Sequence, residues 1–203
     1  MSKIPNGQKR KEIRLIVQYK DFFDILSRYW AAHGKWSDII YSPYFHIAVF
    51  ISAISSNYWL SHNWYEPALA SLPTLLGFGV SGYAIWIGWG NDKMREALIK
   101  LNSPGADSAY IRVSAIFAHF GLVQVTALIL AIICQALNYS PSQNSILAMG
   151  LNFVGLSKDF FHFFKPVGDA FGYFFFVYSI MSILEATLAL FRLATWFQRL
   201  GRS

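Results

Sequence analysis

Residues 113–137 read VSAIFAHFGLVQVTALILAIICQAL, an apolar run with no Asp, Glu, Lys or Arg. About 20 such residues cross the ~30 Å hydrocarbon core of a bilayer as a helix, and in lipid a helix satisfies its own backbone polar groups. Working outward from this run, three further stretches qualify. They are 43–61 (PYFHIAVFISAISSNYWLS), 67–90, entered after the short polar turn His62-Asn63-Trp64-Tyr65-Glu66, and 170–191. Composition points the same way. Charged residues are 14% of the 203, against roughly 25% in a soluble domain. Hydrophobic residues are 55%, more apolar surface than one core of this size hides in water. An ordinary soluble enzyme, a disordered regulator and a disulfide scaffold are excluded. The single cysteine, Cys134, allows no intrachain disulfide and no cysteine-based zinc site.

The expected fold is all-α, a polytopic membrane protein of four transmembrane helices. A cytoplasmic amphipathic N-terminal helix precedes them in residues 1–42, the transmembrane domain occupies 43–191, and 192–203 form a cytoplasmic tail. The first span begins more than 40 residues in, with no small-x-small cleavage site, so it does not read as a signal peptide.

Lys and Arg counts set the orientation. Residues 1–42 hold eight: Lys3, Lys9, Arg10, Lys11, Arg14, Lys20, Arg28 and Lys35. The 91–112 linker adds Lys93, Arg95, Lys100 and Arg112, and the tail adds Arg192, Arg199 and Arg202. The segments expected on the other side hold only Lys158 and Lys165. Fifteen against two places both termini in the cytoplasm, as an even number of spans requires. The formal net charge of +6 therefore reads chiefly as topology, and no motif for recognising a DNA duplex accompanies it.

Two regions outside the spans exceed simple flanks. In the N-terminal region Ile16, Tyr19, Phe23, Leu26 and Trp30 recur at steps of three and four, an apolar seam, and Gly34-Lys35 offers a stop. Either this helix lies in the headgroup layer, helped by Lys9, Arg10 and Lys11, or it packs against its copies or a soluble partner. In the outer segment 138–169, residues 146–156 are apolar but too short to span. The run Asp159-Phe160-Phe161-His162-Phe163-Phe164-Lys165 that follows fits an outer aromatic belt, level with Trp59, Trp64 and Tyr65. A re-entrant element or an external sensing surface is the alternative.

The second span carries the most regular pattern. Ala70, Thr74, Gly77, Ser81, Ala84 and Gly88 follow steps of four and three, so six small residues share one helix face. Lipid gives no hydrophobic drive between helices, and close approach along such faces does much of the packing. The stripe serves either packing within one bundle or contact between subunits, and a homo-oligomer is expected.

Ionisable residues at membrane depth are expensive and tend to face a bundle interior or water. Glu185 lies about two turns from the cytoplasmic end of the last span, with Ser182 one turn outward and Arg192 seven residues on. Glu185 is read as half of a structural ion pair with Arg192 or as a gating, ion-coordinating or proton-bearing carboxylate. His119 and His46 are each read as a packing residue that could cross-link helices, with His119 kept as a pore candidate. No His-x-x-x-His or Glu-x-x-His pair supports a di-metal site, and no metal or cofactor is expected. An intramembrane hydrolase would need a nucleophile with a base, or paired carboxylates. The spans supply one acid and no nucleophile elbow, phosphate loop or zinc signature, so the chain is not read as an enzyme.

The stretch Leu72-Pro73-Thr74-Leu75-Leu76-Gly77-Phe78-Gly79-Val80-Ser81-Gly82-Tyr83-Ala84-Ile85, the following Gly90-Asn91-Asp92-Lys93-Met94-Arg95-Glu96, and Ala189-Leu190-Phe191-Arg192-Leu193-Ala194 resemble small four-span bacterial proteins of anti-phage operons. The membrane effector of Hailong-type defence and the membrane subunit of Kiwa-type defence are the families resembled. The resemblance implies an inner-membrane homo-oligomer with a soluble partner. In the Hailong case it also implies a channel held shut by an oligonucleotide. The expected function is accordingly a pore gated by a cytosolic partner protein or an anionic nucleotide or oligonucleotide, with Lys9, Arg10, Lys11, Arg14 and Lys93 as its contacts. The alternative is a non-conducting anchor or sensor subunit.

Overall fold

A computed structural model describes residues 6–88, 96, 108–138 and 158–200. Every element among them is helical: α1 (Asn6–His33), α2 (Lys35–Ile40), α3 (Pro43–Ile54), α4 (Ser56–Ser61), α5 (Tyr65–Gly88), α6 (Ala109–Asn138) and α7 (Lys158–Leu200). Three of them are long and apolar enough to cross a membrane, within Tyr65–Gly88, Ala109–Ala136 and Lys165–Arg192. The chain is thus a multi-pass membrane protein by length and composition. The helices overrun the apolar runs of the sequence: α6 starts at Ala109 rather than 113, and α7 continues unbroken on both sides of 170–191.

α6 is the hub. It packs against α5, α7 and α1, while α7 also receives α3 and α4. The α5–α6 contact depends on glycine. A Cβ at Gly79 would overlap the Phe120 ring, and one at Gly82 would stand 3.6 Å from Phe117. Leu72 and Trp86 are buried on α5, with Val113, Phe117 and Phe120 on α6. At the far end Trp64, fully buried, donates its indole N–H to Asp169 Oδ1 at 3.0 Å and lies against Gly172. Lys165 donates to the other oxygen of Asp169 at 2.9 Å. Trp64 therefore packs inside the bundle, where it supplies one of the two partners of a buried carboxylate.

The first apolar stretch is divided. α3 has 12 residues, about 18 Å at 1.5 Å per residue, and α4 has six. Helical bonding nevertheless carries across the joint: the Ser55 N–H donates to Ile51 O, and the Trp59 N–H to Ser55 O. The Ser52 carbonyl, next to the break, accepts the Trp59 indole N–H at 2.9 Å. A side chain thus supplies a donor where an unpaired carbonyl in lipid would cost several kcal/mol.

α1 stops at a left-handed corner. Gly34 has φ +96° and the Asp38 carboxylate occupies the space a Cβ would need, while Lys35 follows at φ +64°. The turn is tied by the Ser37 hydroxyl donating to Gly34 O at 2.8 Å.

Candidate functional site

Where α1 meets α6 and α7, polar side chains from three helices converge. α6 presents His119, one face removed from the apolar ridge of Val113, Phe117 and Phe120, and burial leaves it 4% exposed. One ring nitrogen, Nδ1, is 2.6 Å from Tyr29 Oη of α1, and the other, Nε2, is 2.8 Å from Tyr178 Oη of α7. A neutral imidazole has one N–H and one lone pair. One tyrosine therefore accepts from His119 and the other donates to it, so the three side chains form one directional chain of hydrogen bonds. Tyr178 is held by Phe174, whose ring stacks on it at 5.7 Å, and by Phe45 of α3 at the same distance.

His33, the last residue of α1, lies beside this chain. Its ring centroid is 4.1 Å from that of His119. It is buried to 9% exposure, and neither ring nitrogen has a hydrogen-bond partner. Burial lowers its pKa, and the Asp38 carboxylate one turn away opposes that shift. Tyr29 is pushed up to about 12, first by burial and then by Glu185. Glu185 itself is half-buried and within electrostatic reach of Tyr29, Tyr178, Asp38 and Arg192.

The cluster sits deep. Tyr178 is near the middle of the Lys165–Arg192 window, and His119 lies some 15 Å along the Ala109–Ala136 window from its first residue. Above it an open apolar groove of about 550 Å³ runs between α1 and α6, lined by Phe23, Leu26 and Trp30 on one side and Leu122, Val123 and Thr126 on the other. The second half of α1 thus lies against the middle of α6. Asp24 and Arg28 are exposed on its other side.

The candidates read from the sequence fall into distinct places. Glu185 and His119 join one cluster. Ser182 is fully buried and donates to Ser179 O at 2.8 Å, within its own helix. Arg192 is exposed. Every member of the small stripe, Ala70, Thr74, Gly77, Ser81, Ala84 and Gly88, is exposed, and a Cβ at Gly77 or Gly88 would meet nothing within 4 Å. The stripe faces away from α6. Lys9, Arg10, Lys11 and Arg14 are within α1, their side chains outside the described residues, as are Lys93, 139–157 and the side chains of 158–164.

Tyr29, His33 and Tyr178 were not singled out by sequence reasoning, although a signal existed for each. The seam through Leu26 and Trp30 extends by one turn to His33, and the strip through Glu185 and Ser182 extends outward by four residues to Tyr178. No metal-binding group of three His, Cys, Asp or Glu side chains forms among the described residues. Compared with family models, curated proteins and solved structures, the chain gives no match.

Proposed function

We propose that the chain is a homo-oligomeric inner-membrane effector that forms a gated pore, acting in bacterial anti-phage defence and set by a cytoplasmic ligand or partner. One observation carries this reading. Asp24 and Arg28 stand on the exposed side of α1 while the opposite side faces the middle of α6. A charge at the bilayer centre costs about 2.5–3.5 kcal/mol on insertion scales. That side of α1 belongs against water rather than lipid. A protomer this small encloses no water path alone, so copies arranged around a lumen supply it. The outward small-residue face of α5 supports the same assembly, because it permits close helix approach between copies.

In this reading α3 and α4 together make a fourth crossing of about 28 Å over residues 43–61, and both termini are cytoplasmic. Glu185 and Arg192 stand at the inner mouth. Lys9, Arg10, Lys11, Arg14 and Lys93 receive an anionic nucleotide or oligonucleotide, or an acidic partner. The defence context follows from the resemblance of the second and last spans to effectors of that kind.

Currents recorded from the full chain in liposomes, with and without added oligonucleotides, test the proposal. Conductance is expected, with ion selectivity altered in Arg28→Gln and Glu185→Gln. Gly77→Leu, whose Cβ meets nothing within 4 Å in the protomer, is expected to abolish both current and oligomer. Absence of current with every ligand and partner tried would overturn the pore. It would leave the chain as an anchor or sensor that recruits a cytosolic protein through the N-terminal seam, of which Ile16 and Tyr19 are exposed on α1.

A further inference from the structure

We propose that the His33–His119 pair is a proton-binding site inside the membrane domain, and that a proton bound there releases α1 from α6. The geometry separates two roles. His119 is saturated as a neutral ring, with both nitrogens engaged by Tyr29 and Tyr178 at 2.6 and 2.8 Å. A second proton on it would make both nitrogens donors, so the tyrosine hydroxyl that had donated would have to rotate and accept, leaving its own proton without that partner. His33 is the vacant seat: buried, 4.1 Å ring to ring from His119, and with both nitrogens unpartnered. A buried polar group without a partner is costly to hold, a cost without structural return unless the group serves another state.

The groups around the pair come from four helices. Tyr29 of α1, Asp38 of α2 and His119 of α6 face His33, Tyr178 of α7 faces His119, and Glu185 of α7 is within electrostatic reach of both tyrosines. Asp38 attracts a proton to His33. Burial and the neighbouring imidazole oppose it, and two imidazolium rings this close would repel. The docked state therefore disfavours a proton on His33. Among the described residues, Tyr29–His119 is the one hydrogen bond that fastens α1 to the spans, so whatever disturbs His119 acts on the docking itself.

The sign follows from linkage. Released into water, His33 titrates near its ordinary value of 6.5, whereas docked it binds a proton less readily. Docking is fully favourable above that value and weakens as pH falls below it, by up to a factor of about ten per pH unit. The consequence holds whether or not the assembly conducts, because it concerns only where α1 lies.

The test uses the full chain in lipid vesicles, with Cys134→Ser and spin labels on cysteines placed at the exposed positions Lys20 and Leu188. One narrow distance is expected at about pH 8, and at about pH 5 its population should fall at least about threefold in favour of a broad distribution. His33→Gln, neutral at both values, should keep the narrow distance at both. Should His33→Gln pack poorly, His33→Asn and the pH series of the parent chain carry the same reading. A distribution that does not change with pH in the parent overturns the proposal. So does an acid-induced broadening that persists undiminished in both His33 variants.

Discussion

Gly77 and Gly79 are two residues apart in α5 and differ in what a methyl group would meet. At Gly79 it overlaps the Phe120 ring, while at Gly77 it meets open space. Gly79→Ala forces the α5–α6 contact apart, an overpacking cost of about 1–3 kcal/mol, and is expected to lower the unfolding temperature of the protein in detergent. Gly77→Ala should change stability by less than about 0.5 kcal/mol. Equal effects would show that the two faces of α5 are wrongly assigned. Tyr29 makes a second prediction at this scale. Its phenol is pushed from 10.0 up to about 12 in the docked helix, so its neutral form is favoured there. That contribution is complete below the ordinary value of 10.0 and is lost as pH rises from there to about 12. The docked distance of α1 is therefore expected to disperse across that alkaline window, and Tyr29→Phe, which has no phenolate to form, should show no such alkaline limb.

At the scale of elements, the corner after α1 decides where that helix docks. Gly34 sits at φ +96° with the Asp38 carboxylate packed on its Cα. Gly34→Ala adds about 1–2 kcal/mol of left-handed strain and displaces Asp38 from beside His33. Limited proteolysis of the vesicle-bound protein should then cut α1 faster than in the parent, and an unchanged rate would remove the corner from the docking energetics. The stop itself was legible, because Gly34-Lys35 ends an apolar seam. The three long helices were legible too, since run length against bilayer thickness needs no tertiary knowledge. Their ends were not: α6 gains four residues before 113 through polar positions such as Arg112, which apolarity cannot register. Nor was the division at Ser55, although adjacent serines are a known place for a helix to break. The site was legible only in part. Glu185 and His119 stood out because they are costly in lipid, whereas Tyr29 and Tyr178 reach His119 across 90 and 59 residues of chain. Periodicity marks which face a residue occupies, and it carries no information on which helix that face meets.

For the molecule as a whole, the open quantity is the number of crossings, and charge decides between two counts. If α3 and α4 act as one crossing and α1 does not cross, four crossings leave fifteen Lys and Arg on one side against two. If α1 crosses as well, Lys20 and Arg28 enter the membrane. The five basic residues ahead of them then move to the outer side, and the remaining balance falls to eight against seven. A bias of fifteen to two orients a protein firmly, whereas eight to seven does not. The four-crossing count is therefore expected, with α1 drawn against α6 along a water-facing side rather than threaded through lipid. Reporters that fluoresce only in the cytoplasm, fused separately to the N-terminus and after Ser203, should both be bright. A bright C-terminal and a dark N-terminal fusion would make α1 a fifth crossing. It would then place Asp24 and Arg28 in the bilayer with no lumen to face unless the copies supply one between their first helices.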